Sequence, residues 1–287
     1  MDNDVLSVIT AATPGFSKGQ RRIAKYIIDN YDKAAFMTAG KLGVTVGVSE
    51  STVVRFAAEL GYDGYPEMRK ALQEMIKNRL TSVQRIEVAQ SMGDNSEILS
   101  TVLSSDIEKI RYTLEEIKKS DFYSAVNAIV NAEHIYIIGL RSSAALSHFL
   151  GFYLNMLLPN VRVVNDSSPN EIFEQILRVG KGDVFIGISF PRYSRMTIRA
   201  MKFAHDQGAN VISITDTETS LIAKNSDIKL YAKSDMVSFL DSLVAPLSLI
   251  NALIVAVANS EKGNLRADFV RLEKLWSEYE VYGDTEK

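Results

Sequence analysis

The sequence reads Lys41-Leu42-Gly43-Val44-Thr45-Val46-Gly47-Val48-Ser49-Glu50-Ser51-Thr52-Val53-Val54-Arg55-Phe56-Ala57-Ala58-Glu59-Leu60-Gly61, which predicts two short helices joined by a tight turn. A helix-turn-helix needs a small residue where its helices cross and a glycine in the turn, and Gly43 and Gly47 have those positions. Ser49 is placed to N-cap the second helix and Gly61 to end it. The predicted inward-facing residues are Leu42, Val46, Val48, Val53 and Phe56.

The polar residues of the second predicted helix indicate contacts with operator DNA. They project from its first turns, the part of such a helix that enters a major groove. Arg55 has the donors for a guanine edge or a phosphate, and nearby basic residues would add a salt-dependent affinity. The predicted DNA-binding residues are Lys18, Arg21, Arg22, Lys41, Ser49, Glu50, Ser51, Thr52 and Arg55. A helical hairpin used for dimerisation, with these residues merely solvated, remains the alternative at this point.

The composition restricts the class of protein. A chain of 287 residues that is 46% hydrophobic can bury a sizeable core in one large domain or two ordinary ones. The net charge of −3 excludes a polybasic nucleic-acid binder, although residues 1–79 alone carry +2. The absence of cysteine excludes a disulfide framework, a thiolate zinc site and a cysteine nucleophile. Because the three histidines are scattered, no metal site is predicted.

Neither the first residues of the chain nor its most apolar internal stretch predicts a membrane protein. The first residues lack the basic and apolar regions of a secretory signal. The most apolar stretch, Phe239 to Ala258, is interrupted by Asp241, Pro246 and Asn251, which favours a buried or interface helix over a membrane span. The cysteine-free composition suits a reducing compartment, so we expect a cytoplasmic protein with no membrane partner.

Two kinds of pattern divide the chain into an all-α domain and a doubly wound α/β domain. From Phe16 to about Lys77 apolar residues recur at helical spacing, whereas from Ala132 onward short β-branched runs alternate with helical segments. The runs are nearly all apolar, as in a parallel sheet of five strands covered on both faces. They are His134 to Leu140, Val161 to Val164, Val184 to Phe190, Val211 to Thr215 and Ile228 to Tyr231.

The predicted domain limits follow these patterns. Residues 1–78 form the helix-turn-helix domain, and residues 79–119 form a linker with a connecting helix and the breaker Gly93-Asp94-Asn95. Residues 120–260 form the α/β domain, and residues 261–287 form a C-terminal helix and tail.

Two hydroxyl-rich turns follow the first and third predicted strands, Gly139-Leu140-Arg141-Ser142-Ser143 and Ser189-Phe190-Pro191-Arg192-Tyr193-Ser194. In an open parallel sheet, ligands bind beyond the carboxyl ends of the strands, where helix N-termini present amides. Hydroxyls, amides and guanidinium groups suit a phosphate and the hydroxyls of a sugar. The predicted ligand-binding residues are Gly139, Arg141, Ser142, Ser143, Ser189, Arg192, Tyr193 and Ser194. The alternative is that the serines are only N-caps.

Neither a cofactor nor a catalytic residue is predicted. The first turn lacks the second and third glycines of a dinucleotide fingerprint, so nicotinamide binding is not expected. An aldose–ketose isomerase needs a positioned base, for which Glu171, His148 and His205 are the available groups. A glutamate at a helix start is more often a partner of the helix dipole, and a histidine inside a helix is more often packed or solvated. A phosphosugar isomerase or lyase with an accessory helical domain remains the alternative function.

The first half resembles the N-terminal domain of RpiR/MurR-type bacterial transcription regulators. The resemblance rests on Phe16-Ser-Lys-Gly-Gln-Arg-Arg-Ile-Ala-Lys-Tyr-Ile-Ile-Asp-Asn, on Val48-Ser-Glu-Ser-Thr-Val-Val-Arg-Phe and on Leu60-Gly-Tyr-Asp-Gly-Tyr-Pro-Glu-Met. One departure is Gly43, where that family usually has alanine.

The second half resembles the sugar isomerase (SIS) domain over roughly residues 120–260. The resemblance implies that Ser143 belongs to the first-strand loop, and that Ser189 and Ser194 bracket a phosphate loop. Arg141 replaces a usual glycine, and Phe190-Pro191-Arg192-Tyr193 replaces a usual glycine-containing middle. Together the resemblances imply a regulator that binds operator DNA and senses a phosphorylated sugar or related anionic metabolite. A homodimer or homotetramer is expected, with Phe239 to Ala258 and Leu265 to Tyr279 as candidate interface helices or ordinary core.

Overall fold

The computed structural model describes residues 5–76, 83–86, 98–165, 169–235, 240–261 and 265–282. The chain divides into two units, one of Met1–Ile107 with Asp235–Ser242 and one of Glu108–Ser234 with Leu243–Lys287. The predicted breaker Gly93-Asp94-Asn95 lies outside the described residues. The domain limits drawn from the sequence remain predictions.

The first unit begins with helices joined by short turns, which confirms the all-helical prediction for this half. The α2 helix has a capping box: the Ser17 hydroxyl accepts from the Gln20 amide, and the Gln20 side chain accepts from the Ser17 amide at 2.8 Å. The helices are α1 (Val5–Ala12), α2 (Lys18–Asp29), α3 (Tyr31–Ala34), α4 (Ala39–Val46), α5 (Glu50–Glu59) and α6 (Tyr65–Ile76).

Apolar residues at helical spacing form the core of these helices. Ile23 of α2, Leu42 of α4 and Phe56 of α5 are all fully buried. The ring centroids of Phe16 and Phe56 are 5.1 Å apart, so the turn before α2 packs directly on α5. This core holds α5 against α2 and α4.

Tyr65 ties α6 to the turn after α3. Its side chain is buried, and its hydroxyl donates to the Met37 carbonyl at 3.0 Å and faces the Ala34 carbonyl at 3.4 Å. Burial raises the pKa of Tyr65 to about 12, because the phenolate would lose its solvation. The phenol therefore stays protonated and keeps these hydrogen bonds across the neutral pH range.

The second unit contains five parallel strands, as predicted, in the order β2-β1-β3-β4-β5. The strands are β1 (Ile135–Gly139), β2 (Val161–Val164), β3 (Val184–Ile188), β4 (Asn210–Thr215) and β5 (Ile228–Tyr231). The predicted third strand ran to Phe190, which was wrong by two residues: Pro191 has no amide hydrogen with which to continue a ladder. The chain order reverses between β1 and β3, which makes this pair the topological switch point.

Helices cover both faces of the sheet. On one face Ile135 and Ile137 of β1 pack with Leu150, and on the other Tyr136 and Ile138 pack with Met201. This two-sided burial explains why the strands are continuously apolar. The remaining helices are α7 (Ile98–Glu116), α8 (Lys119–Val130), α9 (Ala144–Leu157), α10 (Pro169–Gln175), α11 (Arg195–Asp206), α12 (Val244–Ser260) and α13 (Leu265–Glu278).

The two candidate interface helices differ in burial. The apolar helix begins at Val244 and not at Phe239, which lies outside the described residues, and Pro246 lies in its first turn. Its residues Leu249 and Leu253 belong to the core of the second unit. In contrast, α13 has no buried residue. No single described helix has the length and hydropathy to cross a membrane, and α12 with α13 passes that test only as a pair bent by 114°.

Candidate DNA-binding surface and ligand site

The turn between α4 and α5 has the predicted geometry. Gly47 caps α4 in the left-handed region with φ 69°, a conformation that glycine adopts without strain. A methyl group on Gly43 would lie 2.8 Å from the Val48 carbonyl oxygen, so α4 lies too close to the backbone of the following turn for a larger residue to fit without a shift. Ser49 N-caps α5 by accepting from the Thr52 amide at 3.3 Å, and Gly61 follows the helix with φ 89°.

Hydroxyl groups cluster at the start of α5. The Ser49 Oγ lies 2.9 Å from the Ser51 Oγ and 2.8 Å from the Thr52 Oγ1. One turn later the Arg55 Nε donates to the Ser51 carbonyl at 3.3 Å, which aligns the exposed side chain along the helix. The structure therefore brings together hydroxyl donors and a guanidinium on the exposed side of the first two turns, as the sequence predicts.

The first turn of α2 lies against the start of α5. A methyl on Gly19 would be 3.5 Å from the Val48 Cγ1 and 3.7 Å from the Thr52 Cγ2, so the side chains of Val48 and Thr52 pack near the Gly19 backbone. Lys18, the first residue of α2, is exposed beside this contact. The Arg22 guanidinium occupies the space that a side chain at position 47 would need, over the turn. Basic residues of α2 thus flank the hydroxyl cluster.

Three further predicted DNA contacts are less closely grouped. Arg21 is exposed on α2, and Lys41 is exposed on α4. Glu50 is also exposed, but its carboxylate oxygen lies 3.2 Å from the position of a methyl on Gly40, in the first turn of α4. A carboxylate is stabilised at the N-terminus of a helix, so this placement gives Glu50 a role in holding α4 to α5. Its contact with DNA stays a prediction.

In the second unit, the loops after β1 and β3 lie side by side at the switch point. Gly139 pairs with Ile188 at the last position of the β1/β3 ladder. Neighbouring strands are about 5 Å apart, so residues 140–143 and 189–194 leave the sheet as close neighbours. The structure thus brings both predicted turns to the carboxyl ends of adjacent strands, the place where an open α/β sheet has its ligand crevice.

Arg141 and Arg192 both have left-handed backbone, with φ 58° and 63°. This region is uncommon for residues other than glycine, asparagine and aspartate. Both side chains are exposed. The sequence identified Arg141 as a replacement for a usual glycine, and the positive φ shows why glycine suits that position.

In the β3 loop Ser194 is an N-cap, and the binding of a ligand by the serines of this loop stays a prediction. The Ser194 hydroxyl caps α11 by accepting from the Thr197 amide at 3.3 Å, and the buried Ser189 hydroxyl accepts from the Ser194 amide at 3.1 Å. As acceptors, both hydroxyls keep their own hydrogen for a ligand. In the β1 loop Ser142 is exposed, while Ser143 is buried at the start of α9 and makes no capping bond.

Gly139 contributes no side chain to the site, and its backbone lies against the turn that follows. A methyl there would meet the Ser143 carbonyl and the Cβ of Ser147. The Ser147 hydroxyl donates back to the Gly139 carbonyl at 3.2 Å, which fixes the strand end to α9. Gly139 therefore shapes the turn through its backbone.

Asp216 is a residue of this region that the sequence did not single out. It follows β4, is buried, and accepts from the Tyr193 hydroxyl at 2.7 Å and from the Thr215 hydroxyl at 3.2 Å. The hydrogen bond holds Tyr193 toward β4, on the side of the β3 loop away from β1. Nothing in the sequence links Tyr193 to Asp216, because 23 positions separate them.

At the amino ends of β1 and β3, the end of the sheet away from the ligand loops, Glu133, His134 and Asp183 come together. Their potential ligand atoms lie within 4.8 Å of one another. The His134 Nδ1 lies 2.9 Å from the Asp183 Oδ1, and the Asp183 Oδ2 accepts from the Gly180 amide at 2.9 Å. Asp183 is therefore already bonded within the turn that leads into β3. The expectation of no metal site stays a prediction.

Comparison with known proteins separates the same two parts. Residues 3–79 match the helix-turn-helix domain of the rpiR family, and residues 128–256 match the SIS domain. An uncharacterized HTH-type transcriptional regulator of Caldanaerobacter subterraneus is 23% identical over 262 residues, which are 90% of this chain and 92% of that protein.

Two solved structures are similar in fold. The sugar isomerase domain of an RpiR transcription factor from Sphaerobacter thermophilus has 27% identity and a TM-score of 0.59, covering 62% of this chain and 99% of that one. The Vibrio vulnificus NanR protein complexed with ManNAc-6P has 21% identity and a TM-score of 0.60, covering 98% of this chain and 100% of that one. With both domains matched in this order, the chain belongs to the RpiR family of helix-turn-helix transcriptional regulators that carry a SIS domain.

Proposed function

We propose that the protein binds operator DNA through α2, α4 and α5 and that a phosphorylated sugar, bound at the β1/β3 switch point, alters this binding. One observation carries the proposal. The same chain has an rpiR-type helix-turn-helix and, at the ends of two adjacent strands, two loops that each contain hydroxyl groups and an arginine. The ligand class is supported by NanR, a fold relative that was solved with ManNAc-6P.

DNA affinity in this proposal depends on a few placed side chains. The whole chain is acidic, with a net charge of −3, so bulk attraction to phosphates contributes little. The N-terminal part of α5 presents Ser51, Thr52 and Arg55, and Lys18 and Arg22 of α2 lie beside it. This arrangement suits base contacts from α5 and phosphate contacts from α2.

Arg55 is the sharpest test of the DNA-binding surface. Arg55→Ala is expected to weaken binding to the DNA upstream of the protein's own gene by about 1 to 3 kcal/mol if the guanidinium contacts a base. Fluorescence anisotropy of a labelled upstream fragment measures this loss. Lys70→Ala, which removes an exposed charge from α6, serves as the matched control. Equal affinities of the two variants would contradict the assigned surface.

The proposed effect of the ligand on DNA binding is tested by adding sugar phosphates to the same protein–DNA complex. A panel of pentose, hexose and amino-sugar phosphates should contain at least one compound that shifts the DNA affinity. A ligand shifts the affinity only as far as it binds the DNA-free and DNA-bound forms differently. If no phosphorylated sugar either binds the protein or changes its DNA affinity, the sensing proposal is wrong.

We further propose that the SIS domain does not catalyse isomerisation. The His148 Nδ1 donates to the Ala144 carbonyl on the exposed side of α9, and the His205 Nε2 lies 3.6 Å from the Asp227 Oδ1 near the end of α11. Glu171 opens on a shallow cavity of about 430 Å³, whose lining includes no residue of the β1 or β3 loops. Incubation with the same panel should therefore give no product, and turnover would favour an isomerase.

A dimer or tetramer fits a palindromic operator, and α13 is the candidate surface for it. Its exposed apolar residues include Val270 and Leu275, which are 64% and 42% exposed. Light scattering of the purified chain tests this assignment, because Val270→Glu should lower the oligomeric mass if α13 lies in the interface. An unchanged mass would place the interface elsewhere.

A further inference from the structure

Two arginines lie in the separate loops that leave the switch point, and each has a backbone conformation that disfavours it. Arg141 lies two residues beyond β1, and Arg192 lies four residues beyond β3, with φ 58° and 63°. Among the described residues only Asn160 and Glu280 are other non-glycine residues with positive φ. Asparagine adopts this region readily, whereas arginine does so at a cost of about 1 kcal/mol or more.

Glycine at either position would remove this cost, so the side chains themselves must supply the benefit. Neither arginine contributes to the core, because both are exposed. The Arg141 carbonyl accepts from the Ala144 amide, but its guanidinium makes no hydrogen bond or ion pair within the part of the chain that the structure describes. A strained, exposed cation beside a ligand crevice is typical of a ligand clamp.

The β3 loop already has the donors that a phosphate needs. The Ser189 and Ser194 hydroxyls keep their hydrogens, and both lie at the N-terminus of α11, a helix of 12 residues. Arg192 adds a guanidinium to the same loop. Three acceptor oxygens and up to two negative charges of a phosphate can be satisfied there, without Arg141.

A carboxylate contacts this loop from the side away from β1. Asp216 follows β4, and the strand order puts β4 across β3 from β1. Its carboxylate is occupied by the Tyr193 and Thr215 hydroxyls. The Arg141 charge is therefore not neutralised by Asp216, and the β1 side of the crevice is left with a cation and no carboxylate from these loops.

We propose that the effector is a phosphorylated sugar acid, whose phosphate binds the β3 loop with Arg192 and whose carboxylate binds Arg141. A guanidinium pairs with a planar carboxylate through two parallel hydrogen bonds, which matches this second group better than a hydroxyl. The inference rests on the proposed function, since it assigns the chemical class of the effector at the same site. A neutral aldose phosphate would leave Arg141 without an anionic partner.

Calorimetry with matched ligand pairs tests the proposal on the full chain. Each pair is an aldose phosphate and the corresponding aldonic acid phosphate, such as glucose 6-phosphate with 6-phosphogluconate and ribose 5-phosphate with 5-phosphoribonate. Gluconate and inorganic phosphate test each charged group alone. In at least one pair the acid should bind about ten- to a hundredfold more tightly, the range for hydrogen bonds to charged groups.

Glycine variants then assign the two arginines without disturbing the loops, because glycine accepts positive φ. Arg141→Gly should remove most of the preference for the acid while leaving the aldose phosphate affinity within about threefold. Arg192→Gly should weaken both members of the pair. Arg199→Ala removes an exposed arginine one turn into α11 and should change neither affinity.

The outcomes separate this inference from the proposed function. If aldose phosphates bind and the acids bind no more tightly in any pair, the sugar-acid assignment is overturned while phosphosugar sensing stands. If Arg141→Gly weakens both members equally, the carboxylate assignment of Arg141 is wrong. If no phosphorylated compound of either kind binds, the proposed function and the inference both fail.

Discussion

Replacing Gly43 by alanine should destabilise the helix-turn-helix, although alanine is the better helix former. By propensity alone, alanine in a helix interior is favoured over glycine by about 1 kcal/mol. The added methyl would lie 2.8 Å from the Val48 carbonyl oxygen and 3.4 Å from the Glu50 amide nitrogen. Those atoms belong to the backbone of the turn, so they cannot rotate away as a flexible side chain would.

The magnitude follows from these two opposing effects. Forcing an extra methyl into a closely packed crossing costs about 1 to 3 kcal/mol. After the gain in propensity is subtracted, we expect a net loss of about 1 kcal/mol. For a unit of this size the loss corresponds to a fall in Tm of about 4 to 8 °C. The displaced turn also carries Ser49, so the DNA affinity should fall as well.

Gly19→Ala is the matched control for this substitution. A methyl on Gly19 would lie 3.5 Å from the nearest atom, the Val48 Cγ1, which is ordinary van der Waals contact. This variant should be as stable as the wild type or slightly more stable. Thermal and urea denaturation of both variants, followed by circular dichroism, give the comparison, and anisotropy gives the DNA affinity. If Gly43→Ala were as stable as Gly19→Ala, the close crossing would not exist in solution.

Three other substitutions test features of the two units. Ser49→Ala removes the N-cap of α5 and should lower the unfolding free energy by about 1 kcal/mol in urea denaturation; an unchanged midpoint would show that the cap contributes nothing. Because burial raises the pKa of Tyr65 to about 12, above the unfolded value of 10.0, its stabilising contribution is present below pH 10 and lost as the pH rises through 12. Tyr65→Phe should therefore cost about 1 kcal/mol at pH 7 and flatten the alkaline decline, and parallel pH curves for both proteins would argue against this origin. Tyr193→Phe removes the hydrogen bond to Asp216 and should weaken effector binding about tenfold in calorimetry, without changing DNA affinity in the absence of effector; full retention of effector affinity would remove Tyr193 from the site.

Strand positions were predictable because the signal is local. Val161–Val164 and Ile228–Tyr231 were predicted to the residue, since short β-branched runs bounded by turn residues have few other conformations. The apolar helix was harder: hydropathy gives no starting point, and α12 begins at Val244 without a side-chain cap. Its predicted start at Phe239 was therefore too early.

The candidate sites were predictable only where sequence neighbours share a turn. Ser49 and Gly47 have roles that depend on residues within four positions, and both were confirmed by the geometry of the turn. The position of Asp216 depends on the sheet order, which brings the end of β4 beside the β3 loop. The pairing of His134 with Asp183 likewise joins two strands across 49 positions, which no local pattern encodes.

The switch point also determines how a bound ligand would change the dynamics of the rest of its domain. The β1 loop continues into α9 on one face of the sheet, and the β3 loop continues into α11 on the other. A ligand held by both loops ties together the two helical layers that cover opposite faces of the sheet. Binding would then restrict fluctuations on both faces at once, and slower amide hydrogen exchange should be seen in both α9 and α11. In such a domain a signal can arise from lost motion, with no hinge required.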